Sequence, residues 1–217
     1  MSPAGPPWRE DRARDEPKIA RNVRDLLAEL AADAPARKPP TVSLAHEWHQ
    51  RVYRGVAVPS KLYLGTPRGV AHPHLISYQV VLRSPSSSRV VAQGVPAREV
   101  AGELRGFEQA VQTATGTLDT AIPVGVAPND EAELLAVVEL AALTHGEWVR
   151  IHPYANGNGR IARVWANWVA LRYGLPPFIR IKPRPDGLLY AQAAHQSMGG
   201  DHRTTISLFV DLLRQRP

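Results

Sequence analysis

The chain has 217 residues, a net charge of +6 and no cysteine, which excludes disulfides, a cysteine nucleophile and thiolate metal sites. With 44% hydrophobic and 21% charged residues it can bury a core and is not a wholly disordered polymer. The basic excess points to an anionic partner: nucleic acid, a membrane surface or a small phosphate compound.

The opening stretch MSPAGPPWREDRARDE has no apolar segment ahead of a cleavage site, so it does not read as a signal peptide. No run of about 18 apolar residues follows, and the longest candidate, 134–143, is interrupted by Glu139. The expectation is a cytoplasmic protein without a membrane span. Abundant Ala, Arg and Pro with few Lys suggest a GC-rich, bacterial genome.

Residues 1–17 mix Pro with alternating charges and are expected to be disordered. Ile19, Val23, Leu26, Leu27 and Leu30 recur at helical spacing, which predicts an amphipathic helix over 18–33. APARKPP at 34–40 then breaks it. Residues 1–40 therefore read as a flexible N-terminal arm with a short helix, and 41–217 as the main domain. A helix is predicted over 41–54, capped by Thr41 or Ser43. Residues 55–75, rich in Gly and Pro, read as loop. Two strand-like pieces, 76–82 and 89–93, flank SPSSS and predict a small β-hairpin. A helix over 98–113 and a loop over 114–130 follow. Asp130 can cap a helix over 131–147. Further helices are predicted over 160–173, closed by Gly174, then over 188–198 and 204–214. The fold class is mainly α with one small hairpin.

The most informative stretch is HPYANGNGR, residues 152–160. Two glycines before a helix start allow a tight turn, and the free amides of the helix N-terminus then form an anion site. Arg160 and Arg163, three residues apart, share a helix face and suit a polyphosphate. His152 stands at the other lip of the loop, where a neutral imidazole can take a proton from an attacking hydroxyl. Singly, each of these features is ordinary loop chemistry; their conjunction within twelve residues carries the functional reading.

That stretch, extended to HPYANGNGRIAR at 152–163, resembles the signature of the Fic family (Fic/Doc superfamily), His-Pro-Phe-x-(Asp/Glu)-Gly-Asn-Gly-Arg-x-x-Arg. The resemblance covers about residues 41–214 and is most specific over 131–175. It implies a Fic-type helical domain with the hairpin as a flap. It also implies a transferase that moves AMP, or another nucleotidyl or phosphoryl group, from a nucleoside triphosphate, ATP first, to a hydroxyl of a target. The target would be a protein or a small molecule. By that resemblance His152 is the general base. Gly157, Asn158 and Gly159 form the anion hole, and Arg160 and Arg163 hold donor phosphates. Read from its own chemistry, Tyr190 could stack on a nucleobase, the alternative being a buried core tyrosine. Tyr154 replaces Phe. Asn156 replaces the acid that helps hold Mg²⁺ in the family, and as a neutral ligand it would bind the cofactor weakly. The alternative is a catalytically weakened nucleotide-binding regulator of the same fold.

In the family an inhibitory helix carries (Ser/Thr)-x-x-x-Glu-(Gly/Asn). Ser43 to Glu47 matches only its first part, because Trp48 follows; a separate inhibitory protein is the remaining route to such control. The hairpin and 94–100 could hold an extended acceptor segment by strand addition. His46 and His49 are three residues apart without a third ligand, so they read as packed or solvated side chains. Residues 150–217 hold ten basic and three acidic side chains. The positive excess thus falls in the part that contains the phosphate loop, which favours a nucleotide over nucleic acid.

Overall fold

The computed structural model describes residues 6–8, 11–83, 90–185 and 187–215. Among them are seven α-helices and a two-stranded antiparallel hairpin. The helices are α1 (Glu16–Asp33), α2 (Val42–Val52), α3 (Val100–Ala121), α4 (Glu131–Ile151), α5 (Asn158–Arg172), α6 (Leu188–Met198) and α7 (Arg203–Arg214). The strands are β1 (Val81–Arg83) and β2 (Val90–Gln93).

Helix α5 is the axis of the molecule. Ile161, Val164, Trp165, Trp168 and Val169 bury different sides of it, as expected of a helix surrounded by others rather than lying on a surface. Helix α4 packs along α5 and also meets α3, α6 and α7, while α1 and α2 cover the other flank of α5. At the centre Trp165 meets Trp48, Phe107 and Trp148 edge-on or tilted, with ring centroids 4.7, 5.3 and 5.9 Å apart. Each such ring contributes roughly 1.5–3 kcal/mol of apolar burial and ties together helices distant in sequence. Buried Asn167 on α5 accepts from the amides of Phe178 and Ile179 at 3.0 and 3.1 Å and donates to the Ile179 carbonyl at 2.7 Å. It thereby fixes the Pro-rich loop that follows α5.

Side-chain caps place two of the seven helix starts. Thr41 caps α2 through Leu44, and the Asp130 carboxylate accepts from the Glu133 amide at 2.8 Å to open α4. The differences from the sequence reading have tertiary causes. Helix α3 runs to Ala121, through residues read as loop. Thr115 in that added part is buried, and its carbonyl accepts from the Tyr173 hydroxyl, so packing outweighs the low helix propensity of Gly116. Helix α4 is one turn longer than predicted and delivers His152 as its cap. In the hairpin, residues 76–80 are turn and coil rather than strand. The register pairs Val81 with Gln93, Leu82 with Ala92 and Arg83 with Val90. The SPSSS turn lies outside the described residues.

The expected flexible arm is corrected for its described part. Ile19, Val23, Leu26 and Leu30 of α1 are buried against the body. Trp8, read as part of a disordered leader, is buried as well. It packs edge-on to Tyr53 at 4.7 Å and stacks with Tyr63 at 6.3 Å. The Tyr63 hydroxyl donates to the Pro6 carbonyl at 2.9 Å. A single large aromatic with a waiting cage of rings offsets the ordering cost of a polar segment.

Candidate active site

The α4–α5 turn is held by side chains that bond its backbone from within the fold. Buried Asn158, the first residue of α5, accepts from the Tyr154 amide and donates to the Tyr154 carbonyl, both at 2.8 Å. Tyr154 is itself buried, and its hydroxyl meets His46 Nδ1 at 2.8 Å. The Tyr-for-Phe change therefore brings its own partner from α2. His49 Nδ1 accepts from the Gly65 amide at 3.0 Å, so its Nε2 carries the proton and donates to the Asn156 carbonyl at 3.0 Å. Burial lowers the His49 pKa to about 3, and the neutral ring uses both nitrogens. Gly157 adopts φ +82°, and a Cβ there would lie 2.8 Å from the Tyr53 ring and 3.0 Å from His49 Nε2. No other residue fits that turn without strain.

With Gly157 as the cap of α5, the amides of Asn158 and Gly159 lie in the first turn without intrahelical acceptors. Two amides of the loop are therefore open to an acceptor from outside the helix. The Gly157 amide instead donates to Oδ1 of Asn156 at 2.6 Å. The Asn158 side chain is likewise committed to the loop. Of the residues 157–159 expected to form an anion hole, 158 and 159 keep such amides among the described residues.

His152 sits at φ +53°, an uncommon backbone for a residue with a side chain. Its Nδ1 lies 2.8 Å from the Val149 carbonyl, an acceptor, so Nδ1 carries the proton and Nε2 presents a lone pair. Burial lowers its pKa to about 4, with the Arg68 charge adding to the shift. At neutral pH the ring is neutral, as a proton acceptor must be.

The two arginines expected to converge take different directions. Arg160 donates to the Tyr53 hydroxyl and forms an ion pair with Asp11, with its guanidinium 5.4 Å from the Tyr53 ring centre. Arg163 is buried. It donates to the Ile181 carbonyl at 3.0 and 3.2 Å and to the Tyr190 hydroxyl at 2.7 Å. It still borders the loop, since a Cβ on Gly159 would lie 3.4 Å from its Nη1. Tyr190 is buried between Arg163 and His145, whose Nε2 lies 3.0 Å from its hydroxyl. As placed, it supports Arg163 and presents no open face for a base. The basic excess is also partly structural. Arg172 pairs with Asp119 at 2.5 and 3.1 Å, and Lys182 with Glu16 at 2.8 Å.

The residues present do not fit a protein-held magnesium ion. The Asn156 oxygen is occupied by the Gly157 amide, and no group of three or more His, Asp or Glu that could hold a metal occurs among the described residues. His46 and His49 hold the loop, not a metal. Sequence reasoning missed the roles of His49, Arg68, Asp11 and Trp8. The single Trp in the charged leader is the signal that could have marked that segment as docked.

Five helices around a central α4–α5 pair, with a glycine-bearing turn and a neutral histidine between those two, define a helical domain built about one loop. The family model described as Fic/DOC family matches residues 39–170: the chain belongs to the Fic/DOC family. A protein adenylyltransferase Fic of Nematostella vectensis is 42% identical over 79 residues, 36% of this chain and 18% of that protein. The protein adenylyltransferase fic-1 of Caenorhabditis elegans is 44% identical over 52 residues, covering 24% of this chain and 10% of the relative. The matched stretches thus span under a fifth of these relatives. Among solved structures, a Fic-domain signaling protein from Bacteroides thetaiotaomicron superposes with TM-score 0.66 at 21% identity, covering 95% of this chain and 72% of that one. The BepC effector of Bartonella tribocorum, solved with AMPPNP, superposes with TM-score 0.56 at 15% identity, covering 94% and 90%. These likenesses carry the fold. No helix among the described residues is long and apolar enough to cross a membrane.

Proposed function

We propose that the chain transfers AMP from ATP to a hydroxyl of a target protein. The observation that carries this reading is a neutral His152, its Nδ1 bonded to Val149 and its Nε2 without a partner among the described residues, at one end of a loop whose other end presents the amides of Asn158 and Gly159 at the α5 N-terminus. His152 Nε2 takes the acceptor proton. The acceptor oxygen bonds to the α-phosphorus as the bond to the bridging oxygen breaks, and pyrophosphate leaves with that electron pair. The two amides, the α5 dipole and the adjacent Arg163 stabilise charge on the phosphates. The hairpin, with exposed Val90 and Val91, holds an extended acceptor segment by strand addition. A magnesium ion would travel on the nucleotide's own phosphates, and no step above depends on it. The names of the adenylyltransferase relatives support AMP as the group and protein as the target.

The occupied oxygen of Asn156 favours one second reading, a nucleotide-binding regulator with weakened transfer. Intact-mass analysis after incubation with each nucleoside triphosphate and Mg²⁺ or Mn²⁺ separates the two. The adduct of one AMP on the chain or on a lysate protein, lost in His152→Ala while nucleotide binding persists, supports transfer. Binding without any adduct supports the regulator.

A further inference from the structure

Arg68 lies in the Gly- and Pro-rich stretch between α2 and β1, almost wholly buried at 1% exposure and without a carboxylate partner among the described residues. Burying a guanidinium costs several kcal/mol unless its donors are satisfied. Here four backbone carbonyls satisfy them. Nε donates to the His152 carbonyl at 2.8 Å, and Nη2 to that of Ile151 at 3.1 Å. Nη1 donates to the Tyr78 carbonyl at 2.9 Å, and Nη2 also to that of Val95 at 2.8 Å. The Arg68 amide donates to the Pro153 carbonyl at 2.7 Å. One side chain therefore grips the backbone on which His152 stands and both ends of the hairpin, just before β1 and just after β2.

The surroundings are shaped for this grip. A Cβ on Gly94, at the exit of β2, would come 2.6 Å from His152 Cβ and 3.2 Å from Arg68 Nη2. A Cβ on Gly69 would run into the Ala97 carbonyl at 1.9 Å. The hairpin base thus presses directly on His152, whose left-handed backbone costs roughly 1–2 kcal/mol and persists only where its surroundings hold it.

We propose that Arg68 is a positioning residue that locks the backbone of the base His152 to the hairpin holding the acceptor, so that Nε2 and the acceptor hydroxyl meet in one fixed geometry. This rests on the transferase reading above. Lys in its place keeps the charge, but its single nitrogen cannot reach carbonyls on both sides.

The test uses full-length Arg68→Lys and Arg68→Gln, with melting temperature as the check on folding. The readouts are calorimetric binding of a non-hydrolysable ATP analogue, the rate of AMP transfer, and the His152 imidazole resonance followed by NMR. The expected result for folded Arg68→Lys is unchanged nucleotide affinity, a transfer rate lower by about 10²-fold and a displaced His152 resonance. Wild-type transfer by Arg68→Lys overturns the proposal, as does a parallel fall of rate, affinity and melting temperature. If the wild-type chain transfers nothing, the transferase reading fails by itself. The NMR arm still decides the positioning: a His152 resonance unmoved in both variants overturns it.

Discussion

Replacing Asp11 with Asn removes the carboxylate that pairs with Arg160. The pair is well shielded, with side-chain exposures of 13% for Arg160 and 7% for Asp11, so salt screens it weakly. On the family reading, in which Arg160 holds a donor phosphate, we propose that the nucleotide competes with Asp11 for this guanidinium. The apparent dissociation constant is the intrinsic one divided by the fraction of molecules in which Arg160 is released. In Asp11→Asn the bond stays charge-assisted through Arg160, and only the attraction of the second charge is lost, about 1 kcal/mol for a partly shielded pair. At about 1.4 kcal/mol per decade, ATP affinity rises about fivefold in the variant. Isothermal calorimetry of wild type and Asp11→Asn, at low and at high salt, reads this directly. Equal or weaker ATP binding by a folded Asp11→Asn variant would refute the competition between Asp11 and phosphate for Arg160.

Three further outcomes are expected. Burial depresses the pKa of His49 and His145 to about 3, against about 6.5 in the unfolded chain. Stability is therefore complete above pH 6.5 and lost as pH falls toward 3, at about 2 kcal/mol for each histidine by pH 5; urea midpoints that match at pH 7 and pH 5 would contradict this. Asn156→Asp supplies the missing charge beside the loop and should raise the Mg²⁺ affinity of the nucleotide complex, read by metal titration; an unchanged curve would place residue 156 away from the metal. Gly157→Ala adds a Cβ at φ +82° against Tyr53 and His49 and should lower stability by about 2–4 kcal/mol, strain and overpacking together; a melting temperature equal to wild type would show that the turn can relax.

Much of the fold was legible because its causes are local. Helical spacing of apolar residues marks α1 and α7, and side-chain caps mark the starts of α2 and α4. The twelve residues 152–163 reveal a histidine, an anion-binding turn and two arginines without reference to any other part of the chain. The α3 extension and the added turn of α4 were illegible, since packing partners such as Tyr173 decide them.

What the sequence by itself determined is the helical class and the family signature, both set by neighbours within a turn or two. What only the tertiary structure decided is how the groups of that signature are held. Asp11 reaches Arg160 across 149 residues, Arg68 reaches His152 across 84, and His49 reaches Asn156 across 107. It also narrowed the meaning of the basic excess, by sending Arg172 and Lys182 to structural partners and turning Arg163 toward Ile181 and Tyr190. The physical reason is the same in each case. Buried charges and polar groups must find partners in whatever the fold brings beside them, and those partners follow no period in the chain.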